Sequence, residues 1–183
     1  MRERVERRLS FVLRHAPESV GVALDRAGWV GVDDLLRALA THGLPLSRQD
    51  LQRVVERSGK QRFELDGNRV RARQGHTVPV NLDLPTTVPP PVLFHGTPPR
   101  NVASILAGGL DRGRRHHVHL SSDARTAAEV GARRSGQVAV LVVDAAAAAA
   151  DGLAFWVTGN GVWLVGHVPA RYLSPAGPHI YRP

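Results

Sequence analysis

Leu93-Phe94-His95-Gly96-Thr97 and His117-Val118-His119-Leu120-Ser121 decide how the rest of the chain is read. Each is a short apolar run that ends in hydrogen-bonding residues, the pattern of a strand whose end carries chemistry. His95 and His119 fall at comparable positions in the two runs, each near a hydroxyl residue. Gly96 adds backbone that another group can approach closely. Two histidines so placed point to a ligand more than to a packed interior. With His116 and His117 alongside, metal ligation is conceivable, but no cysteine and no nearby carboxylate completes a set, so no metal is expected.

The sequence after these strands alternates further strands with short helices. Pro98 and Pro99 open a helix through Val102, Ile105 and Leu106, and Gly108-Gly109 closes it. Asp123 caps a helix over 124–134. Val138 to Val143 is a nearly continuous apolar run, hence a buried strand. Ala145 to Ala150 is low-complexity and is read as either a helix or a connector. Leu153–Val157 and Val162–Val165 flank Thr158-Gly159-Asn160-Gly161 as a hairpin, with Trp163 in the core.

Before the strands, Pro79, Pro85, Pro89, Pro90 and Pro91 make residues 76–91 a stiff connection. The boundary is set at residue 85, which gives domains 1–84 and 85–183. In the first, Val5, Leu9, Val12 and Leu13 lie on one face of a helix over 3–15 that Pro17 ends. Val20 to Trp29 reads as a strand and turn. Asp33 is expected to cap a helix over 34–41 that Gly43 closes. Ser47 and Asp50 form a capping box for a helix over 48–57, with Gly59 as its stop. Arg62–Leu65 and Arg69–Ala72 then flank Asp66-Gly67-Asn68, a hairpin signal. The whole is α+β, with three short helices and a hairpin wing in the first lobe.

Composition narrows the partners. The 183 residues carry 24 Lys and Arg against 16 Asp and Glu, a formal net charge of +8, and Lys60 is the only lysine. Such an excess favours a polyanion, and arginine is the better fork for phosphate. Apolar residues make up 43%, enough for packed cores. With no cysteine there is neither disulfide nor thiolate metal site. The charged N-terminus is no signal peptide, and no segment reaches the length of a membrane span, so a soluble, cytoplasmic protein is expected; a monomer is expected as well. No phosphate loop and no glycine-rich dinucleotide fingerprint is present. Arg14-His15, Lys60 with Arg62, and Arg71 with Gln74 and His76 are further candidates for phosphate.

In order along the chain these pieces resemble the RNA 2′-phosphotransferase family. The matching stretches are Leu9 to His15, Asp25-Arg26-Ala27-Gly28-Trp29, Lys60-Gln61-Arg62-Phe63, Arg71 to His76, Leu93 to Thr97, His117 to Ser121, Val130-Gly131-Ala132-Arg133, and Asn160 to Leu164. The resemblance implies a winged-helix N-terminal lobe joined to an ADP-ribosyltransferase-like C-terminal lobe, with the active site between them. It implies an NAD-dependent transferase of tRNA processing that removes an internal RNA 2′-phosphate. The route runs through a 2′-phospho-ADP-ribosylated RNA and yields 2′-OH RNA, ADP-ribose 1″,2″-cyclic phosphate and nicotinamide.

Its catalytic set carries over to Arg14, His15, Arg62 and Arg133, or Arg134 if counted back from the following strand. His95, Gly96, Thr97, His119, Leu120 and Ser121 would line the NAD pocket. Lys60, Arg71, Gln74 and His76 would meet the RNA phosphates. Phe94 stands where the family often has tyrosine, and Thr77 where serine is common. Two other readings stay open: an ADP-ribosyltransferase acting on nucleic-acid phosphate or protein, and a non-enzymatic basic winged-helix binding module.

Overall fold

The computed structural model describes residues 2–57, 61–132 and 137–177. The chain is a mixed α/β protein with small antiparallel sheets, and it divides into two compact units, Met1–Asp83 and Leu84–Pro183.

In the first unit, α1 (Arg2–Arg14) buries Val5, Leu9, Val12 and Leu13 along one face, as their spacing predicts. A 3-10 turn over Pro17–Val20 ends at Gly21, which is left-handed at φ +72°. The strand expected over Val20 to Trp29 does not form. The Asp25 carboxylate accepts from the backbone N–H groups of Ala27 and Trp29, each at 2.9 Å, and bends the chain into a turn completed by Gly28 at φ +83°. The strand β1 (Val30–Gly31) follows that turn.

The helix α2 (Val32–Thr41) starts earlier than expected. Gly31 is its cap and Asp33 lies inside the first turn, where its Oδ2 accepts from Asn68 Nδ2 at 3.1 Å. The carbonyl of the same Asn68 accepts from Val32 N–H at 2.8 Å, so the hairpin tip supplies the start of this helix. The helix α3 (Arg48–Arg57) carries its capping box as expected: Asp50 N–H donates to Ser47 Oγ and Ser47 N–H to Asp50 Oδ2, both at 3.1 Å. Gly59, the expected stop, lies outside the described residues. The strands β2 (Phe63–Asp66) and β3 (Arg69–Ala72) form the hairpin, and the sheet order is β1-β3-β2. Leu9, Leu13, Leu35, Leu39, Leu51, Phe63 and Val70 are fully buried in one cluster.

The second unit opens with β4 (Val92–Thr97), a 3-10 turn Pro99–Asn101, α4 (Val102–Gly108) and β5 (Leu110–Asp111). It continues with β6 (Val118–Leu120), α5 (Ala124–Ala132), β7 (Ala139–Asp144) and α6 (Ala145–Ala150). The strands β8 (Phe155–Val157), β9 (Trp163–Val165), β10 (His167–Val168) and β11 (Leu173–Pro175) complete it. The sheets are β11-β7-β4, β6-β9-β8 and the pair β10-β5, all antiparallel.

Asp123 caps α5 by accepting from Thr126 N–H at 2.8 Å. The alanine run is a helix because Asp144 caps it through Ala147 N–H at 3.0 Å and Ala145 and Ala148 are buried. Trp163 is half-buried and packs against the core of Leu93, Leu110, Leu120, Val143 and Phe155. No helix of the described residues is long and apolar enough to cross a membrane.

Candidate functional site

Two sets of polar side chains stand out, one in each unit. In the first unit the set hangs on α1. Its C-terminal carbonyl, Arg14 O, accepts from the N–H groups of Thr77 at 2.8 Å and Val78 at 3.4 Å. A helix end leaves such carbonyls without intrahelical partners, and here the returning chain supplies them. Thr77 Oγ1 also donates to Arg14 O at 3.4 Å and lies 3.0 Å from His15 Nδ1. With its own proton turned to that carbonyl, the hydroxyl accepts from His15 Nδ1–H, which leaves Nε2 of the exposed ring as the atom that can take or give a proton. Arg62 is half-buried, and its Nη1 donates to Glu6 Oε2 on α1 at 3.2 Å. Arg14, His15 and Arg62 are thus tied to one helix, directly or through Glu6. Lys60 lies outside the described residues.

The other phosphate candidates of this unit are more enclosed. Arg71 donates through Nε to Glu64 Oε2 at 3.0 Å and through Nη1 to Ala27 O at 3.2 Å, and its guanidinium lies 4.4 Å from the Trp29 ring centroid. Arg73 donates to Phe63 O at 3.2 Å. Gln74 Oε1 is buried with no hydrogen-bond partner among the described residues. His76 is buried against Gly28, where a Cβ would sit 3.4 Å from its Nε2. A separate cleft of about 650 Å³, lined by Val20, Trp29, Val30, Arg37, His42 and Arg69, contains none of Arg14, His15 and Arg62.

In the second unit the two strands quoted first are neighbours. Phe94 and Ser121 exchange both backbone hydrogen bonds at 2.9 Å, which links β4 to the end of β6. This brings His95 Nδ1 to 3.0 Å from His119 O. A carbonyl only accepts, so Nδ1 carries the proton and Nε2 is the acceptor. Burial pushes the His95 pKa down against the opposing effect of that bond, and the Arg115 charge lowers it further, so the ring is neutral. Arg115 Nη1 donates to His119 Nδ1 at 3.4 Å, so that ring keeps its own proton on Nε2.

A neutral acceptor on His95 and a donor on His119 suit the hydroxyls and amide of a nucleotide, so the residues present fit a dinucleotide. Ser121 is half-buried beside them, Thr97 is buried with its hydroxyl accepting from Asn101 Nδ2 at 3.4 Å, and Leu120 is core.

Gly96 has a different reason from the one its sequence suggests. A Cβ there would stand 1.9 Å from Ala127 O and 3.3 Å from Gly131 Cα, so its bareness admits helix α5 rather than a ligand. Arg133 and Arg134 lie outside the described residues. Among the described residues no group of three His, Cys, Asp or Glu could hold a metal ion.

Sequence reasoning missed Glu6 and Glu64, the carboxylates that hold Arg62 and Arg71. Glu64 was legible in principle, because hairpin register places it directly opposite Arg71. Glu6 had no local signal.

Fold and side chains together describe a two-unit α/β protein with a cluster of candidate residues in each unit. Residues 1–167 match the family model described as RNA 2′-phosphotransferase, Tpt1 / KptA family. A probable RNA 2′-phosphotransferase of Streptomyces coelicolor is 51% identical over 176 residues, covering 96% of each chain. Proteins of the same description from Rhizobium leguminosarum bv. trifolii (48% identical, 93% of this chain and 92% of the relative) and Agrobacterium fabrum (51%, 91% and 90%) are similar to it. The chain belongs to the RNA 2′-phosphotransferase family.

Proposed function

We propose that this protein removes an internal 2′-phosphate from RNA with NAD as co-substrate. The observation that carries the reading is the Thr77–His15–Arg14 arrangement on α1 together with Arg62 held by Glu6. These side chains serve a phosphate, and a binding module that read only the RNA backbone would have no need of an oriented imidazole beside it. The three helices and three-stranded sheet of the first unit support a winged-helix reading. The split antiparallel sheets of the second support an ADP-ribosyltransferase-like one.

NAD, when bound, would supply an electrophilic ribose carbon with nicotinamide as a neutral leaving group, and a vicinal 2″-hydroxyl to which the phosphorus could pass so that the RNA keeps a free 2′-hydroxyl. A phosphate dianion is already nucleophilic, so the chain need not supply a base for the first bond. Arg14 and Arg62 orient the phosphate oxygens and offset charge as it builds on phosphorus. His15, through Nε2, moves the proton that the 2″-hydroxyl loses and the RNA 2′-oxygen gains. His95 and His119 hold the nucleotide by one acceptor and one donor. Arg133, or Arg134, completes the cationic set, and Lys60, Gln74 and His76 support the phosphate.

The test is incubation of the purified protein with an oligonucleotide carrying one internal 2′-phosphate, with and without NAD. NAD-dependent conversion to 2′-hydroxyl RNA with release of nicotinamide is expected. R14A, H15A and R62A should block conversion while leaving nucleotide binding intact. NAD bound without loss of phosphate from RNA overturns the reading in favour of ADP-ribosyl transfer to another acceptor.

A further inference from the structure

Arg71 is the one phosphate candidate of the first unit that the proposed chemistry does not use. Its side chain is 15% exposed, and its guanidinium is engaged on two edges and one face. Nε donates to Glu64 Oε2 at 3.0 Å, Nη1 donates to Ala27 O at 3.2 Å, and Cζ lies 4.4 Å from the Trp29 ring centroid. A fork so committed has little left for a phosphate oxygen.

What Arg71 holds is the turn Asp25-Arg26-Ala27-Gly28-Trp29. Asp25 builds that turn from its own side chain, through the bonds its carboxylate accepts from Ala27 and Trp29 N–H. The backbone closes it, with Asp25 N–H donating to Trp29 O at 2.8 Å and Gly28 N–H to Asp25 O at 3.0 Å. Other segments then take two of its carbonyls: Arg71 takes Ala27 O, and Asn81 N–H donates to Arg26 O at 2.7 Å. Gly28 backs onto the same returning chain. A Cβ there would stand 3.4 Å from His76 Nε2 and 3.7 Å from Val80 Cγ1.

His76, Val80 and Asn81 therefore rest on this turn, and between them Thr77 and Val78 donate to Arg14 O. Thr77 is the residue whose hydroxyl lies 3.0 Å from His15 Nδ1. An unbroken series of contacts thus runs from Glu64 through Arg71 and the turn to the imidazole, all of it within the first unit.

We propose that Asp25 and Arg71 are positioning residues for His15, acting through the turn and Thr77, and that Arg71 is not a phosphate ligand. The assignment rests on the function proposed above. Asp25 shapes the turn, Arg71 pins it to the β2–β3 hairpin, and the turn seats the returning chain against the end of α1. Thr77 then meets Nδ1 and leaves Nε2 for the proton. An imidazole free in water favours the other tautomer, with its proton on Nε2, so the frame and not the ring sets the aim of His15.

The experiment reads the His15 tautomer by long-range proton–nitrogen NMR of the whole chain with labelled histidine. It is run at about pH 8, above the ordinary imidazole range. Wild type is compared with D25A, D25N, R71A, R71K and R69A, and the signals are identified by their loss in H15N. In parallel, kcat and KM are measured for an RNA with one internal 2′-phosphate at a saturating concentration of NAD, the proposed co-substrate.

D25A and R71A should move His15 from the Nδ1–H tautomer toward the Nε2–H form. They should lower kcat about fivefold and leave KM for the RNA within about twofold. D25N keeps an acceptor at Oδ1 and should restore both readouts. R71K keeps the charge, but one ammonium cannot bridge Glu64 and Ala27 while stacking on Trp29, so it should behave as R71A does. It carries the test if D25A or R71A fails to fold. R69A removes the neighbouring guanidinium, 5.0 Å from the same ring but paired with Asp66, and should change neither readout.

An unchanged tautomer in D25A and R71K overturns the proposal. So does a raised KM for the RNA in R71A that R71K repairs, the mark of a phosphate ligand. The tautomer is read without RNA or NAD. If D25A loses it while the wild-type protein leaves the 2′-phosphate in place, the proposed function falls and the positioning stands.

Discussion

His95 donates its Nδ1 proton to the main-chain carbonyl of His119 at 3.0 Å, so the backbone of one candidate nucleotide-binding residue fixes the orientation and tautomer of the other. Burial keeps the ring neutral in the folded protein. Once pH falls below the ordinary value of 6.5, the unfolded imidazole takes up a proton that the folded one refuses. Stability is therefore full above that pH and lost as pH falls below it. His117, lowered first by burial and then by His116 and Arg112, acts in the same direction. Thermal unfolding from about pH 7.5 to about pH 5.5 should show a falling midpoint. The slope should be smaller in H95N, and an equal slope in that variant would remove His95 from the account.

Gly96 and Gly131 face each other where α5 lies on β4. A Cβ on Gly131 would come within 2.8 Å of Val138 Cγ1 and 2.9 Å of Gly96 C, and one on Gly96 would overlap Ala127 O. Backbone atoms cannot step aside as a side-chain end can. G131A should cost about 1–3 kcal/mol in chemical denaturation and G96A more. G166A is the control: no atom lies within 4 Å of its Cβ position, so its change should stay within about 0.5 kcal/mol.

Thr77 is a positioning residue for His15. T77V keeps the volume and removes the hydroxyl, and should lower kcat for 2′-phosphate removal roughly five- to tenfold, the worth of one hydrogen bond. KM for NAD, the proposed co-substrate, should stay unchanged. T77S restores the hydroxyl and should restore the rate. Equal rates in T77V and T77S would mean that the contact orients nothing.

Glu6 holds Arg62 in a pair whose side chains are 13% and 28% exposed, enclosed enough that water replaces a lost contact only in part. E6A should cost about 1–3 kcal/mol of stability. It should also lower kcat/KM for RNA more than E6Q does, because glutamine keeps an acceptor. The comparison is made at a saturating concentration of the proposed co-substrate, so that only the RNA side is read.

What the sequence disclosed followed the range over which each signal acts. The capping box of Ser47 and Asp50, the hairpin around Gly67, the Asp123 cap and the buried run ahead of Asp144 are all written within a few residues, and each stands as read. Over Val20 to Trp29 the turn stands and the strand does not, because the Asp25 carboxylate takes two backbone donors. Asp33 failed as a cap because Asn68, distant in sequence, already receives Val32 N–H. Gly96 was read as a place of close approach, and the group that approaches its Cβ position is helix α5, which no local signal announces. The family resemblance, carried by ordered motifs, reached further than any one of them.

The contacts that orient the candidate phosphate-binding side chains join residues far apart in the chain: His15 to Thr77 across 62 positions, Arg62 to Glu6 across 56. Contacts of that span form only after the intervening loop entropy has been overcome, whereas the helices themselves are local and fast. On refolding, helical signal returns first and activity waits for the last closure of the first unit. Catalytic competence is then a late clock for folding, and a chain stopped short of residue 77 would hold a formed helix with an unaimed imidazole at its end.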